Sequence, residues 1–161
     1  SGTGNMKFMM NGAITLGTMD GANVEIVERV GYENAEIFGL RADDVALIRH
    51  ENSYDVWKKY NQNGDIQKVV NSLVDSTFSN DSKDFKQIYN ELMFKNDEYL
   101  LLADFEAYVH AQGNIEQRYR NAEAWARMCL INIAQSGYFS SDRTIHEYAR
   151  DIWNIKPVTV K

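Results

Sequence analysis

Residues 1–7, which read Ser-Gly-Thr-Gly-Asn-Met-Lys, contain the residue types in this chain best suited to chemistry. Gly2 and Gly4 let the backbone turn tightly and approach a ligand closely. A helix that begins here would direct free backbone N–H groups toward an anion, and Thr3 adds a hydroxyl donor. The segment therefore predicts a phosphate site built largely from backbone amides.

Lys7 follows Thr3 by one helical turn, roughly 6 Å along the helix axis. Its sequence neighbours, Met6 and residues 8–10 (Phe-Met-Met), are apolar. Apolar surroundings disfavour a charged ammonium, and the uncharged amine is the form that condenses with an aldehyde. A phosphate site one turn from such an amine matches the two ends of pyridoxal 5′-phosphate (PLP).

Spacing alone is weak support for that interpretation, because a glycine pair followed by a lysine occurs in many ordinary turns. The segment is also not a Walker A motif, since the spacing differs and no Ser or Thr follows Lys7. The residue pattern by itself leaves open an anion-binding turn or a turn used only for packing.

The elements that would position Lys7 read as an α/β arrangement. A short helix is expected over residues 3–12, a strand over 13–18, a helix over 22–30 and a second strand over 36–39. Gly31 stands where a helix C-terminal cap belongs. Strand, helix, strand is the unit of a parallel sheet covered by helices.

From Ala42 onward the pattern of apolar residues is mostly helical. A helix is expected over residues 104–119, and another is closed by Gly137. The side chains expected to begin or cap helices are Ser53, Asp65, Asp84, Asn121 and Ser141. The chain is therefore predicted to be helix-rich with few strands.

Composition narrows the class of protein. The length of 161 residues fits one domain, and 44% apolar with 25% charged residues is typical of a soluble globular chain. A net charge of −6 argues against a general nucleic-acid partner. No apolar run reaches the roughly 20 residues of a membrane helix. Cys129 is the single cysteine, which predicts an intracellular protein without disulfides.

Other polar residues receive structural interpretations. His50, His110 and His146 are far apart and lack metal-ligand spacing. Ser141 and Asp142 suit a helix start. Since only two strands are convincing and none precedes the glycine-rich turn, we expect the chain to be part of a longer sheet-containing protein.

Two stretches closely resemble the α-glucan phosphorylases. The first is residues 1–13 (SGTGNMKFMMNGA) together with 17–25 (GTMDGANVE), which resemble the PLP-lysine segment of that family. The second lies within residues 125–153 and includes Asn132-Ile133-Ala134, then Phe139 to Ile145 (FSSDRTI). The resemblance runs the length of the chain in order and is looser between about residues 52 and 95.

The resemblance implies an activity and a cofactor. The family releases glucose 1-phosphate from α-1,4-glucan ends with inorganic phosphate, retaining the anomeric configuration. PLP is held there as a Schiff base by the lysine matching Lys7, and its phosphate acts as general acid/base. The residues matching Thr3 and Gly4 contact the cofactor phosphate. Those matching Ser1 and Gly2 contact the glucosyl hydroxyls.

The resemblance also implies a fold and a setting. Residues 1–161 would be the C-terminal part of the second, PLP-bearing domain of a glycosyltransferase B-type fold, a partial Rossmann-like unit with the upstream domain absent. The parent is expected to be a cytoplasmic, allosteric homodimer without membrane or nucleic-acid partners. Because the upstream residues that bind sugar and phosphate are missing, the isolated chain is expected to be inactive.

Two alternatives remain open on the sequence. One is a non-catalytic α/β and helical module with an anion-binding glycine turn. The other is part of a nucleotide-sugar glycosyltransferase of similar fold that lacks PLP. An aldehyde adduct on Lys7 would separate the phosphorylase interpretation from both.

Overall fold

The computed structural model describes residues 3–81, 83–156 and 158, and these residues form a helix-rich α/β chain with one two-stranded sheet, as predicted. The elements in chain order are α1 (Gly4–Met10), β1 (Leu16–Gly17), α2 (Ala22–Val30), β2 (Glu36–Ile37), α3 (Ala42–Glu51), α4 (Val56–Gln62), α5 (Gly64–Ser72), α6 (Lys86–Phe94), α7 (Phe105–Tyr119), α8 (Ala122–Gln135) and α9 (Ser141–Glu147). Tyr32–Asn34 and Ser136–Phe139 are 3₁₀ turns, and Tyr148–Ile152 is a π-helical turn. No described helix is both long and apolar enough to traverse a lipid bilayer.

The chain divides into two compact units, the first formed by Ser1–Leu16, Gly21–Glu36 and Glu116–Lys161. Its core consists of side chains from α1, α2, α8 and the segment just before β2. The buried apolar residues are Met9, Ile26, Val27, Val30, Ala35 and Met128. Within this core the buried Asn132 amide donates hydrogen bonds to the carbonyls of Asn34 (2.9 Å) and Met128 (3.0 Å). Helix α8 is thereby fastened to the turn that precedes β2.

The strand pair is shorter than the sequence suggested. The Glu36 N–H donates to the Thr15 carbonyl (2.8 Å) and the Phe38 N–H donates to the Gly17 carbonyl (3.1 Å). Donor and acceptor positions increase together, so the strands are parallel. The predictions of strands over 13–18 and 36–39 each shorten to two residues, because pairing in the described chain covers only that length.

The second unit, Gly17–Asp20 with Ile37–Ile115, has a separate hydrophobic core. Its fully or nearly fully buried members are Val56, Ile66, Val70, Met93 and Leu102. Partly buried side chains packed around them include Tyr54, Tyr60, Tyr89, Leu92 and Phe105. The regularly spaced apolar residues that predicted helices in this unit therefore face one shared core.

Several predicted helix starts move to a neighbouring residue. Asp55, not Ser53, caps α4 by accepting from the Trp57 and Lys58 N–H groups. Asn63, not Asp65, caps α5. Two further starts shift by one or two residues.

Helix α6 begins at Lys86, after the expected start at Asp84, and Ser140, not Ser141, caps α9. The predictions for Asn121, which caps α8, and for Gly31, which ends α2 at φ 80°, are confirmed.

A buried carboxylate organises the loop before α7. Asp97 is 1% exposed and accepts hydrogen bonds from the Tyr54 hydroxyl (2.9 Å) and from the N–H groups of Leu101 (3.0 Å) and Leu102 (2.7 Å). Burial of the Tyr54 hydroxyl, and then the adjacent Asp97 carboxylate, raise the pKa of Tyr54 above its usual value. The neutral phenol is therefore the form that the folded state favours.

The raised pKa of Tyr54 determines how the free energy of unfolding changes at alkaline pH. An unfolded tyrosine ionises near pH 10, so the Tyr54 contribution is complete below about pH 10 and is lost as the pH rises further. We expect Tyr54→Phe to lower the free energy of unfolding at pH 7 by about 1 kcal/mol, because one hydrogen bond is lost. The thermal-unfolding midpoint should fall accordingly. The same variant should show a shallower decline of the midpoint above about pH 10. Tyr99→Phe, at a tyrosine that is 77% exposed, is the control; equal pH profiles for both variants would contradict the assignment.

In the first unit, a shielded ion pair ties β2 to the end of α7. The Arg118 Nη2 lies 3.1 Å from Glu36 Oε2, and the Glu36 side chain is only 8% exposed. The Arg118 Nη1 also donates to the Ala35 carbonyl (3.1 Å). One guanidinium thus contacts both the Glu36 carboxylate of β2 and the backbone carbonyl of the residue just before β2.

Removing the Glu36 charge should therefore be more harmful than removing an exposed one. We expect Glu36→Gln to cost about 1–3 kcal/mol, because a partly buried guanidinium loses its counter-charge. Glu116→Gln, in the solvent-exposed Glu116–Arg120 pair of the same region, should change stability by less than about 1 kcal/mol. Calorimetric unfolding midpoints compare the two, and equal losses would show that shielding of Glu36 has no energetic consequence.

Candidate functional site

Helix α1 carries the residues that the sequence singled out. Of its seven residues, Met9 is fully buried, whereas Lys7, Phe8 and Met10 are exposed. At its C-terminal end the Asn11 side chain donates to the Lys7 carbonyl (2.8 Å). The helix therefore rests on the core through Met9 and presents Lys7 outward.

Lys7 and Thr3 are brought together as predicted. The Lys7 N–H donates to the Thr3 carbonyl (3.3 Å), so the two residues lie one helical turn apart. The Lys7 amine makes no ion pair or hydrogen bond with any residue that the structure describes. The expected apolar enclosure of Lys7 is wrong for this chain, because Met9 turns inward while Phe8 and Met10 are themselves exposed. The amine is thus exposed and has no partner within the described part of the chain.

The start of α1 is also open. Thr3 occupies the N-cap position, but its side chain makes no capping hydrogen bond. A Cβ built on Gly4 would meet nothing within 4 Å, so space lies directly beside its backbone. The Met6 N–H is satisfied by the Asn5 Oδ1 (2.9 Å). A Thr3 hydroxyl that makes no capping bond and an unobstructed Gly4 backbone therefore lie about one helical turn before Lys7 in the described chain.

These residues fit the group that the resemblance implies. PLP needs an amine for its aldehyde and hydrogen-bond donors for its phosphate, and an accessible amine with free donors one turn away supplies both. The fit is limited to those two ends, because the described residues around Lys7 form no apolar wall for the pyridine ring. Ser1 and Gly2, the predicted sugar-contacting residues, lie outside the described residues.

A groove of about 630 Å³ lies on a different face of α1. It is lined by Gly4, Asn5, Phe8, Ala13, Ile14, Thr15, Leu16 and Asn23. Lys7 is not among them, since it points well round the helix from Asn5. The groove takes residues from the start of α1 and Phe8, whereas Lys7 lies outside its lining.

Other polar residues have structural partners. The His146 Nδ1 lies 2.7 Å from the Asp142 carbonyl, and the His110 Nδ1 lies 3.3 Å from the Asn114 amide. Arg143 stacks on the Tyr138 ring, 3.8 Å from its centroid, and pairs with Glu147. Within the described ranges, no group of three or more His, Cys, Asp or Glu side chains is placed to hold a metal ion.

Two contacts in this unit were missed from the sequence. The Asn5 Nδ2 donates to the Asn23 Oδ1 (3.1 Å), and Arg118 pairs with Glu36. Asn5 and Asn23 are 18 residues apart, and no local pattern links them. The short polar motifs around these residues, GTGN and DGAN, indicate turns. They do not indicate that the two asparagine side chains bond to each other.

Comparison with known proteins decides the family. The carbohydrate phosphorylase family model matches residues 1–155. The chain belongs to the carbohydrate phosphorylase family. It is 49% identical to a glycogen phosphorylase of Bacillus subtilis over 158 residues, which is 98% of this chain and 20% of that protein. It is also 49% identical to the human liver-form glycogen phosphorylase over 162 residues, covering 100% of this chain and 19% of that protein.

This phosphorylase chain therefore spans about a fifth of the length of the curated relatives it matches. The family match favours the phosphorylase interpretation over the two alternatives raised by the sequence. It also covers both ends of the chain, where the resemblance was strongest. The accessible Lys7 lies within the matched residues.

The position of α1 in the phosphorylase chain depends on close packing at Gly12. This residue has φ 82°, and a Cβ built on it would lie 3.2 Å from the Ile133 Cδ1 and 3.4 Å from the Cys129 Cβ of α8. A side chain here would be strained and would press α1 away from α8. Only a residue without a Cβ suits this position.

We expect Gly12→Ala to lower stability by roughly 1–3 kcal/mol through the combined φ strain and crowding. Gly113→Ala is the matched control, because Gly113 lies inside α7 with nothing within 4 Å of the added Cβ. That control should be neutral or stabilising by up to about 1 kcal/mol. The measurement is the thermal-unfolding midpoint of each variant. Equal stabilisation by both substitutions would contradict the close packing assigned to Gly12.

Proposed function

We propose that this chain is the C-terminal, PLP-bearing part of a glucan phosphorylase, a glycosyltransferase that releases glucose 1-phosphate from α-1,4-glucan ends by phosphorolysis. The proposal is supported by family membership and by one structural observation. That observation is an exposed Lys7 side chain, without a partner among the described residues, on a helix whose Lys7 backbone N–H donates to the Thr3 carbonyl one turn away.

In this proposal each residue of the site has a distinct role. Lys7 holds the cofactor aldehyde through its amine. The Thr3 hydroxyl and the Gly4 N–H donate hydrogen bonds to the cofactor phosphate, and the missing Cβ of Gly4 leaves room for that phosphate. When bound, PLP supplies a phosphate that exchanges a proton with the substrate phosphate as general acid/base. Ser1 and Gly2 contact the glucosyl hydroxyls through their backbone.

The proposal also assigns what these residues do not provide. The wall around the cofactor ring and the groups that bind substrate phosphate would come from parts of the protein outside these 161 residues. The isolated chain is therefore proposed to be inactive, and the active form to be a cytoplasmic homodimer of glycosyltransferase B-type fold. Its partners would be an α-1,4-glucan, inorganic phosphate and glucose 1-phosphate.

We expect Lys7→Ala in the full-length protein to abolish retention of PLP and to lower glucose 1-phosphate formation by about 1,000-fold or more, because the cofactor is no longer held in place. Lys68→Ala is the control, since Lys68 is an exposed lysine whose recorded partner is Asp65. The measurements are released PLP per protein and the initial rate with glucan and phosphate. A Lys7→Ala protein that keeps both cofactor and rate would refute the assignment of Lys7.

A further inference from the structure

One polar contact joins the lysine-bearing helix to the next helix. The Asn5 Nδ2 donates to the Asn23 Oδ1 (3.1 Å), and both residues lie in the first turn of their helices, α1 and α2. The Asn5 Oδ1 is held by the Met6 N–H (2.9 Å). Because its carbonyl is occupied within α1 and its NH₂ is directed at α2, the Asn5 amide has a fixed orientation.

The contact is directional, because a hydrogen bond requires an aligned donor and acceptor. A helix of seven residues is too short to be stable by itself, so its placement depends on what it packs against. Met9 is fully buried and Gly12 packs closely against α8, so apolar packing holds the C-terminal end of α1. The Asn11 bond to the Lys7 carbonyl stays within the same segment. The Asn5–Asn23 bond adds a directional restraint on rotation at the N-terminal end of α1.

The position of the Lys7 side chain depends strongly on the rotation of α1 about its axis. Lys7 is two positions after Asn5, which is about 200° around a helix of 3.6 residues per turn. The two side chains thus leave on nearly opposite sides. At a helix radius of about 5–6 Å, a 20° rotation displaces an outward side chain by about 2 Å, well beyond the roughly 0.5 Å that a working site tolerates.

We propose that Asn5 and Asn23 are positioning residues that set the orientation of Lys7 through the backbone of α1. This inference rests on the proposed function of Lys7 as the cofactor anchor. Both amides line the groove on the other face of the helix, so neither reaches the Lys7 amine. Their effect on the cofactor is indirect.

The test uses the full-length protein loaded with PLP and four variants: Asn5→Ala, Asn23→Ala, the double variant, and Asn11→Ala. Asn11→Ala is the matched control, because it removes one amide hydrogen bond of α1 without touching α2. The readouts are PLP content, the induced circular dichroism of the bound cofactor, and kcat and KM for the glucan. Circular dichroism reports cofactor orientation, which a loss of stability alone would not change.

We expect Asn5→Ala and Asn23→Ala to retain one PLP per chain but to lose at least half of the induced dichroism. Their kcat should fall about 10-fold with KM nearly unchanged, because a misoriented group loses rate more than binding. The double variant should lose less than the sum of the two single losses, because both single variants remove the shared Asn5–Asn23 bond. Asn11→Ala should keep the wild-type dichroism.

Distinct results overturn the inference. Wild-type dichroism and kcat in Asn5→Ala, additive losses in the double variant, or an equal loss in Asn11→Ala would each contradict it while leaving Lys7 as the anchor. A Lys7→Ala variant that keeps its full PLP content and dichroism would overturn both the proposed function and this inference. If Asn5→Ala does not fold, Asn23→Ala alone decides through the same dichroism comparison.

Discussion

The short helix α1 cannot hold its own position, and the site depends on how the first unit compensates for this. Seven residues supply too few internal hydrogen bonds for independent stability. Met9 inserts into the core, and Gly12 permits close approach to α8. Asn5 adds a directional bond to α2. The placement of Lys7 is therefore a property of tertiary packing and not of local helix propensity.

The scaffold beneath α1 is itself fixed by buried polar groups. The fully buried Asn132 bonds α8 to the carbonyl of Asn34, and Arg118 pairs with Glu36 at the start of β2. Buried polar contacts of this kind are directional, so they favour one arrangement of helices over others. Together with apolar burial, they give α1 a fixed surface to rest on.

The accessibility of Lys7 has a chemical consequence. An exposed amine in water is not the desolvated nucleophile that the neighbouring methionines suggested. Within the proposed function, the low-polarity environment must be provided when the rest of the protein closes over α1. The exposed Phe8 and Met10 beside Lys7 are apolar surface that such closure would cover.

Local signals in the sequence predicted local features well. Helix α2 was predicted with its bounds, because its apolar period and the Gly31 stop coincide. The spacing of Thr3 and Lys7 was also readable, since it requires only one helical turn. Both features are contained in short stretches of chain.

Features set by distant partners were not predictable. Caps moved to Asp55 and Asn63 because several neighbouring residues can cap, and long-range bonds select among them: Asn96 accepts from the Val56 N–H, and Asn63 donates to Glu106. The inward turn of Met9, the Asn5–Asn23 bond and the short strand pair likewise depend on residues far away in sequence. No local pattern encodes these pairings.

The assignment of Lys7 as the cofactor lysine is tested most directly by identifying the residue to which the cofactor is attached. The full-length protein would be treated with borohydride, digested, and the peptides weighed by mass spectrometry. We expect a pyridoxyl-phosphate adduct on the peptide that contains Lys7, and on Lys7 within it. Stoichiometric cofactor in the protein with its adduct on any other lysine would contradict the account and leave residues 1–7 as an ordinary turn.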